Sequence, residues 1–129
     1  MENSKAPMNL KAPRVLVVED EYLVRDMIVF ELQLAGFEVL EAASAEEALT
    51  QIGAAVDIDL LFTDIRLPGK DGWQLAEDIR GLYADVPVIY ATGYADRLRP
   101  LPHSKFLQKP YRPSQVLKAA ADLGIKLPV

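Results

Sequence analysis

The sequence predicts an α/β fold in which a doubly wound, five-stranded parallel sheet carries helices on both faces. Two observations support this prediction. Short segments made almost wholly of apolar residues alternate with longer segments in which apolar residues recur at helical spacing. The chain has 129 residues, half of them hydrophobic and 26% charged, which suits a single domain with one buried core. Because parallel crossovers are right-handed, the intervening helices cover both faces of the sheet.

The first half of the chain is predicted to contain two strands and two helices. Residues 15–18 are four consecutive apolar residues, as expected of a strand covered on both faces. The helix after them ends before Gly36. Residues 37–40 form the second strand, and Ser44 with Glu47 makes a capping box that begins the second helix. The apolar residues at helical spacing in the first helix are Leu23, Val24, Met27, Phe30 and Leu34.

The second half follows the same alternation. Residues 58–63 are predicted as a third strand that ends at Asp64. Residues 68–72 form a turn, in which Asp71 caps a helix over residues 73–83. The remaining elements are strands over residues 86–91 and 106–108, and a last helix over residues 113–123 that stops at Gly124.

The connection between the fourth and fifth strands is short. Only residues 94–104 separate the Thr92-Gly93 motif at the end of the fourth strand from the fifth strand, and these include Pro100 and Pro102. A parallel crossover usually needs about a dozen residues or more, and each proline removes an amide donor and disfavours helical geometry in the residue before it. We therefore expect the helix of this connection to be short or missing, and residues 94–105 to be the least ordered part of the domain without phosphate.

Composition argues against several classes of function. The formal net charge of −5 disfavours a broad contact with nucleic acid. Without cysteines, neither a thiolate metal site nor a catalytic thiol is possible. No apolar run approaches the ~18 residues of a membrane span, and the start of the chain lacks the pattern of a signal peptide. We expect a cytoplasmic monomer with a flexible tail over residues 1–13, one domain over residues 14–129, and no nucleic-acid or membrane partner.

Chemically active side chains follow four of the predicted strands. Ligands of an open parallel sheet bind beyond the carboxyl ends of its strands. Two carboxylates ~4 Å apart repel each other by about 1–4 kcal/mol, and a Mg²⁺ ion would remove that cost. A hydroxyl and an ammonium would suit the oxygens of a phosphoryl group. If the first and third strands are neighbours, the pattern therefore predicts a site for Mg²⁺ and phosphate, formed by Glu19 and Asp20, Asp64, Thr92 and Lys109 in strand order.

Each of these residues, taken singly, has a simpler explanation. Asp20 could cap the helix that follows it, and Asp64 could serve the turn after the third strand. The prediction depends on the ends of four strands all carrying such residues, in the right order along the chain.

Four segments together resemble the receiver domain of two-component response regulators: VLVVEDE, LLFTDIRLPGKDGW, VIYATGY and FLQKPY. The resemblance spans residues 14–123, nearly the whole chain. It implies a flavodoxin-like strand order of 2-1-3-4-5 and a signalling domain that is switched by phosphorylation. The phosphoryl group would come from a sensor histidine kinase or a histidine phosphotransfer protein, and the output would be contact with a downstream protein.

The resemblance also implies roles for the acidic residues and their neighbours. Asp64 would be the phosphoacceptor. Asp20 would bind Mg²⁺ directly, Glu19 would bind it through water, and the backbone carbonyl of Arg66 would complete the protein ligands. The side chains of Arg66 and Tyr94 would tune the lifetime of the phosphorylated state by gating the attacking water.

The far side of the site has implied roles as well. Thr92 would bond the phosphoryl group, and Lys109 would form an ion pair with it. The bond between Lys109 and Pro110 would be cis, a form tolerated almost only before proline. The aromatic switch position on the fifth strand is occupied by Phe106, which can change rotamer but lacks the hydroxyl of the usual tyrosine.

The string YATGY resembles a narrower set of receivers, the FAT-GUY group, in which the region of the fourth helix is atypical. Its members often stand alone and work beside sensor kinases of the HWE type. This resemblance implies a single-domain response regulator that acts by protein contact or as a phosphate sink.

Two other classes of protein could use the same architecture. A Mg²⁺-dependent phosphohydrolase with an aspartate nucleophile would need a second acid two residues beyond Asp64, where the chain has Arg66. A flavin-binding module would need a Ser/Thr/Gly-rich phosphate loop after the first strand, where the chain has acids.

Overall fold

The structure, a computed structural model, describes residues 11–53, 56–93 and 99–127. Five strands in these residues form one parallel sheet in the order β2-β1-β3-β4-β5, which confirms the predicted fold class and strand order. The elements are β1 (Arg14–Val18), α1 (Tyr22–Leu34), β2 (Glu38–Ala42), α2 (Ala45–Ile52), β3 (Leu60–Asp64), α3 (Gly72–Leu82), β4 (Val88–Thr92), β5 (Ser104–Gln108) and α4 (Pro113–Asp122).

The sheet separates two apolar layers. Leu16 and Val18 of β1 face α2 and α3, whereas Val15 and Val17 face α1 and α4. Every residue of β3 and β4 is buried. Each fully buried Val or Leu side chain contributes about 1.5–3 kcal/mol to the free energy of unfolding, so the central strands carry much of the stability. The site forms where the carboxyl ends of these strands meet.

The edge strands differ most from their predicted bounds. β2 ends at Ala42 instead of residue 40, and β5 begins at Ser104 instead of residue 106. Both strands lie at an edge of the sheet and carry exposed polar side chains, Glu41 in β2 and Lys105 in β5. A search for continuous apolar runs misses such residues because an edge strand is not covered on both faces.

Two predicted helix caps are present. The Ser44 hydroxyl accepts a hydrogen bond from the Glu47 N–H at 3.1 Å, and Asp71 Oδ1 accepts one from the Gln74 N–H at 2.9 Å. The Glu47 carboxylate accepts from the N–H of Ala43, the residue before the cap. The side-chain caps therefore set the start of α2 and of α3, as the sequence predicts.

Helix α1 is apolar on two faces. Ile28, Val29 and Leu32 are buried against the sheet. The stripe that marked the helix in the sequence faces outward instead: Leu23, Met27, Phe30 and Leu34 are each more than half exposed. Periodicity locates a helix but cannot distinguish its core face from its outer face when both are apolar.

The connection between β4 and β5 contains no helix among its described residues, 93 and 99–103. Residues 104 and 105 belong to β5, and residues 101–103 accept or donate several hydrogen bonds. The low order expected for residues 94–105 without phosphate stays a prediction. Residues 94–98 lie outside the described residues, as do residues 1–10 of the expected tail. No helix of the described part is long and apolar enough to cross a membrane.

Candidate functional site

The carboxyl ends of the strands bring the predicted site residues together. In the described part of the chain, the buried polar side chains are those of Glu19, Thr63, Asp64 and Thr92. Three of these four are predicted site residues. Burying a polar group is costly unless it gains partners, so this concentration of polar groups at one edge of the sheet marks the site independently of the sequence motifs.

Three carboxylates form a cluster at this edge. Oxygens of Glu19, Asp20 and Asp64 lie within 4.8 Å of one another. Asp20 is exposed and does not cap α1, because the cap residue is Glu21, which makes no side-chain cap bond. The simpler explanation of Asp20 as a helix cap is therefore wrong, and its carboxylate belongs to the cluster.

Lys109 is the cation of the cluster. Its Nζ donates to Glu19 Oε1 at 2.9 Å and to Asp64 Oδ2 at 2.8 Å. Burial alone would lower the pKa of Lys109, but the hydrogen bonds and charges of Asp64 and Glu19 outweigh that effect and raise it above its usual value. Lys109 therefore carries a full positive charge beside the buried carboxylates.

Glu19 is held by two donors. Its second oxygen, Oε2, accepts from the Glu21 N–H at 3.0 Å. Burial raises the pKa of Glu19, while the hydrogen bonds from Glu21 and Lys109 act in the opposite direction. With Asp20 and Asp64 the group has three carboxylates against one ammonium, so formal negative charge is left over for a cation to neutralise.

The Asp64 carboxylate serves the turn and the site at once. Its Oδ1 accepts from the Arg66 N–H at 3.2 Å, while Oδ2 contacts Lys109. The simpler explanation of Asp64 as a turn residue thus accounts for only one of its two oxygens. The side chain of Arg66 is exposed.

Gly72 is a site residue that the sequence analysis treated only as part of a turn. A Cβ atom at this position would lie 2.2 Å from the Asp64 carbonyl oxygen and 2.9 Å from the Cα of Ile65. Its N–H donates to the Ile65 carbonyl at 2.8 Å. The start of α3 therefore packs directly on the backbone that carries Asp64, and only glycine allows this approach. The nearby Gly69 is required for a different reason: its φ of +75° is a left-handed backbone conformation that residues with a Cβ atom rarely adopt.

The far side of the site is formed by β4 and β5. Thr92 is 1% exposed at the end of β4, and its carbonyl accepts from the Lys109 N–H at 2.7 Å. The Lys109–Pro110 bond is cis, as the resemblance implied. Phe106 is half-buried on β5 opposite Tyr90. Tyr94, assigned to lifetime tuning, lies outside the described residues.

An apolar groove of about 360 Å³ adjoins the site. One wall is α1, with Val24 and Met27, and the other is the chain from Lys109 to Pro113, including Tyr111. The Tyr111 hydroxyl is buried with no hydrogen-bond partner in the described part, and burial raises its pKa to about 12. The sequence analysis missed this residue, since an aromatic after a Lys-Pro pair carries no distinctive signal of its own.

The donor set fits a hard divalent cation. All three acidic side chains offer oxygen, and one ammonium leaves their charge incompletely neutralised. Mg²⁺ prefers one or two carboxylates together with water and phosphate oxygens. The cluster therefore suits magnesium in both chemistry and charge.

Comparison with known proteins identifies the family of this chain. Residues 15–121 match the family model of the response regulator receiver domain. The aerobic respiration control protein ArcA of Escherichia coli (strain K12) is 32% identical over 119 residues, which cover 88% of this chain and 49% of ArcA. The chain thus spans about half the length of ArcA and of other curated relatives that it matches.

Solved structures show the same fold. The response regulator receiver protein from Sinorhizobium medicae WSM419 has a TM-score of 0.83 at 30% identity, covering 89% of this chain and 96% of that one. The response regulator protein TrrA from Thermotoga maritima, solved in complex with Mg²⁺–BeF, has a TM-score of 0.76 at 30% identity. The match covers 86% of this chain and 98% of that one. The chain belongs to the receiver domains of response regulators, which are signalling domains switched by phosphorylation and receive their phosphoryl groups from histidine kinases or phosphotransfer proteins.

Proposed function

We propose that this chain accepts a phosphoryl group on Asp64 with the help of Mg²⁺, and that the phosphorylated form offers an altered surface to a protein target. One observation carries the proposal. The Asp64 carboxylate is buried, lies beside two further carboxylates and is bonded to the Lys109 ammonium. This arrangement provides a nucleophile, a cation site and a counter-charge for phosphoryl oxygens in one place.

The transfer step follows from these contacts. An Asp64 oxygen attacks the phosphorus of a phosphohistidine in line, a new P–O bond forms, and the P–N bond to the donor breaks with its electron pair returning to the imidazole ring. Lys109 neutralises charge on the phosphoryl oxygens, and the Thr92 hydroxyl bonds one of them. Mg²⁺ would supply further neutralisation, held by Asp20, Asp64 and the carbonyl of Arg66, and by Glu19 through water.

We expect Asp20→Asn to weaken Mg²⁺ binding by roughly tenfold or more, since one charge pair at ~4 Å contributes about 1–4 kcal/mol. Phosphorylation by acetyl phosphate should fall with it. Isothermal titration with Mg²⁺ measures the first effect and phosphoprotein gels measure the second. The control is Asp26→Asn, which removes one negative charge at an exposed position of α1 outside the cluster. It should change neither the Mg²⁺ affinity nor the phosphorylation. Unchanged Mg²⁺ affinity in Asp20→Asn would remove Asp20 from the ligand set.

The exposed stripe of α1 is the surface that we propose for the phosphodonor. Met27 belongs to this stripe and lines the groove beside Lys109, so the stripe is continuous with the site. Exposed apolar patches of this kind mark interaction surfaces. A histidine that approaches Asp64 along the groove would bring its own protein into contact with α1.

Met27→Glu should therefore slow transfer from a protein donor by about tenfold or more, which corresponds to 1.4 kcal/mol, because it places a charge in this contact. Phosphorylation by acetyl phosphate should stay unchanged. The measurement uses the autophosphorylated sensor kinase that transfers fastest to the wild-type chain in a purified panel. Leu82→Glu is the matched control, because Leu82 on α3 is 61% exposed and Met27 is 62% exposed. An equal loss with acetyl phosphate, or no loss with the kinase, would contradict this docking surface.

Acetyl phosphate also separates the proposed function from its rivals. A receiver takes up at most one phosphoryl group per chain, whereas a phosphohydrolase turns over many equivalents and a flavin-binding module takes up none. Several expectations from the sequence stay predictions. They are the stand-alone character, the FAT-GUY grouping, the HWE-type kinase, the monomeric state, the cytoplasmic location, and the lifetime role of Arg66 and Tyr94.

A further inference from the structure

Residues 99–103, here called the connecting segment, are held by α3 and β4. The Arg80 guanidinium donates to the carbonyls of Pro102 at 2.7 Å and His103 at 3.1 Å. The Val88 N–H donates to the same His103 carbonyl at 3.3 Å. The carbonyls at the end of the segment that leads into β5 are thus fixed by the Arg80 side chain and the Val88 amide, neither of which belongs to the predicted site.

Tyr90 holds the middle of the segment. The Leu101 N–H donates to the Tyr90 hydroxyl at 3.1 Å, across eleven positions of sequence. Tyr90 is fully buried, and its ring lies 4.6 Å from that of Trp73 between centroids. A buried side chain packed in this way has little freedom to move without its neighbours.

The position of Tyr90 connects it to Asp64 along two paths. On β4, Tyr90 lies two residues before Thr92 and therefore on the same face of the sheet. Through α3, its ring partner Trp73 directly follows Gly72, which packs on the Asp64 carbonyl. Tyr90 is also the register partner of Phe106, so the phenolic hydroxyl that Phe106 lacks is present on the neighbouring strand. On β5, the Ser104 hydroxyl donates to the Leu101 carbonyl at 2.6 Å, which leaves the Leu101 amide to Tyr90.

We propose that Tyr90 is a positioning residue that couples the state of Asp64 to the connecting segment through its hydrogen bond with Leu101. The inference rests on the proposed function and adds a regulatory residue to it. When Thr92 and Lys109 are anchored on a phosphoryl group, the end of β4 is held more firmly, and the Tyr90 hydroxyl transmits this restraint to the Leu101 amide.

Amide exchange at Leu101 tests the coupling, with beryllofluoride and Mg²⁺ as the phosphoryl mimic. Pro100 and Pro102 have no amide proton, so the Leu101 signal stands apart from its neighbours. We expect the mimic to slow Leu101 exchange by about fivefold or more in the wild-type chain, the low end of typical coupling between sites. In Tyr90→Phe, which keeps the ring and the packing, the slowing should disappear.

Tyr83→Phe is the matched control. It removes a hydroxyl that donates to the Val56 carbonyl at 3.4 Å, away from the connecting segment. In this variant the mimic should slow Leu101 exchange as much as it does in the wild type. Slowing of equal size in Tyr90→Phe, or none in the wild type, would overturn the coupling. Exchange at Ile65 and Arg66, beside Asp64, shows whether the mimic binds. If these amides do not respond in the wild type, the proposed function fails and the coupling fails with it.

Discussion

Asp64→Asn is expected to abolish acid-stable, hydroxylamine-labile phosphate incorporation while leaving the fold intact. An amide is too weak a nucleophile to attack phosphorus and form an acyl phosphate. The variant keeps an oxygen that can accept from the Arg66 N–H, and Lys109 keeps its bond to Glu19. Radiolabelled acetyl phosphate measures the incorporation, and circular dichroism reports the fold.

The control for this variant is Asp71→Asn. It makes the same chemical change at the cap of α3, where asparagine caps as well as aspartate does. We expect normal phosphorylation in the control. Incorporation at the wild-type level in Asp64→Asn would mean that another carboxylate, such as Asp20, accepts the phosphoryl group.

Gly72→Ala is expected to lower the free energy of unfolding by about 1–3 kcal/mol, as overpacking of a tight interior does. The added methyl group would overlap the Asp64 carbonyl oxygen, so α3 or the end of β3 must shift. The shift also displaces the phosphoacceptor, and phosphorylation by acetyl phosphate should slow. Urea denaturation followed by Trp73 fluorescence measures the first effect, and labelling measures the second.

Gly81→Ala provides the opposite control within the same helix. Nothing lies within 4 Å of a Cβ at Gly81, which is exposed near the end of α3. Replacing a helical glycine by alanine there should raise the free energy of unfolding by roughly 0.5–1 kcal/mol. Equal stability of Gly72→Ala and the wild-type chain would show that the close approach is not a constraint.

The fold and the main site residues could be predicted because they depend on local patterns. Continuous apolar runs locate β1, β3 and β4, and parallel strands end at one edge of the sheet. The strand order came from the resemblance to receiver domains and not from these patterns, and with that order the carboxylates, Thr92 and Lys109 were expected to meet. The structure brings the acids and Lys109 into contact, and it bonds the Thr92 carbonyl to the Lys109 amide.

Features that depend on three-dimensional packing were not predictable in this way. The outward face of α1 is as apolar as its inward face, so its spacing could not assign the core side. The steric role of Gly72 needs the distance to Asp64, and the bond between Tyr90 and Leu101 joins a strand to a loop. Neither contact has a periodic or compositional signature in the sequence.

The site of phosphorylation is the central claim, and borohydride reduction measures it most directly. Borohydride converts an aspartyl phosphate to homoserine, and peptide mass spectrometry then locates the converted residue. After treatment of the wild-type chain with acetyl phosphate and Mg²⁺, we expect homoserine at position 64 and unchanged aspartate at position 20. Homoserine at another position, or phosphate recovered on His103, would contradict the assignment of Asp64 as the phosphoacceptor.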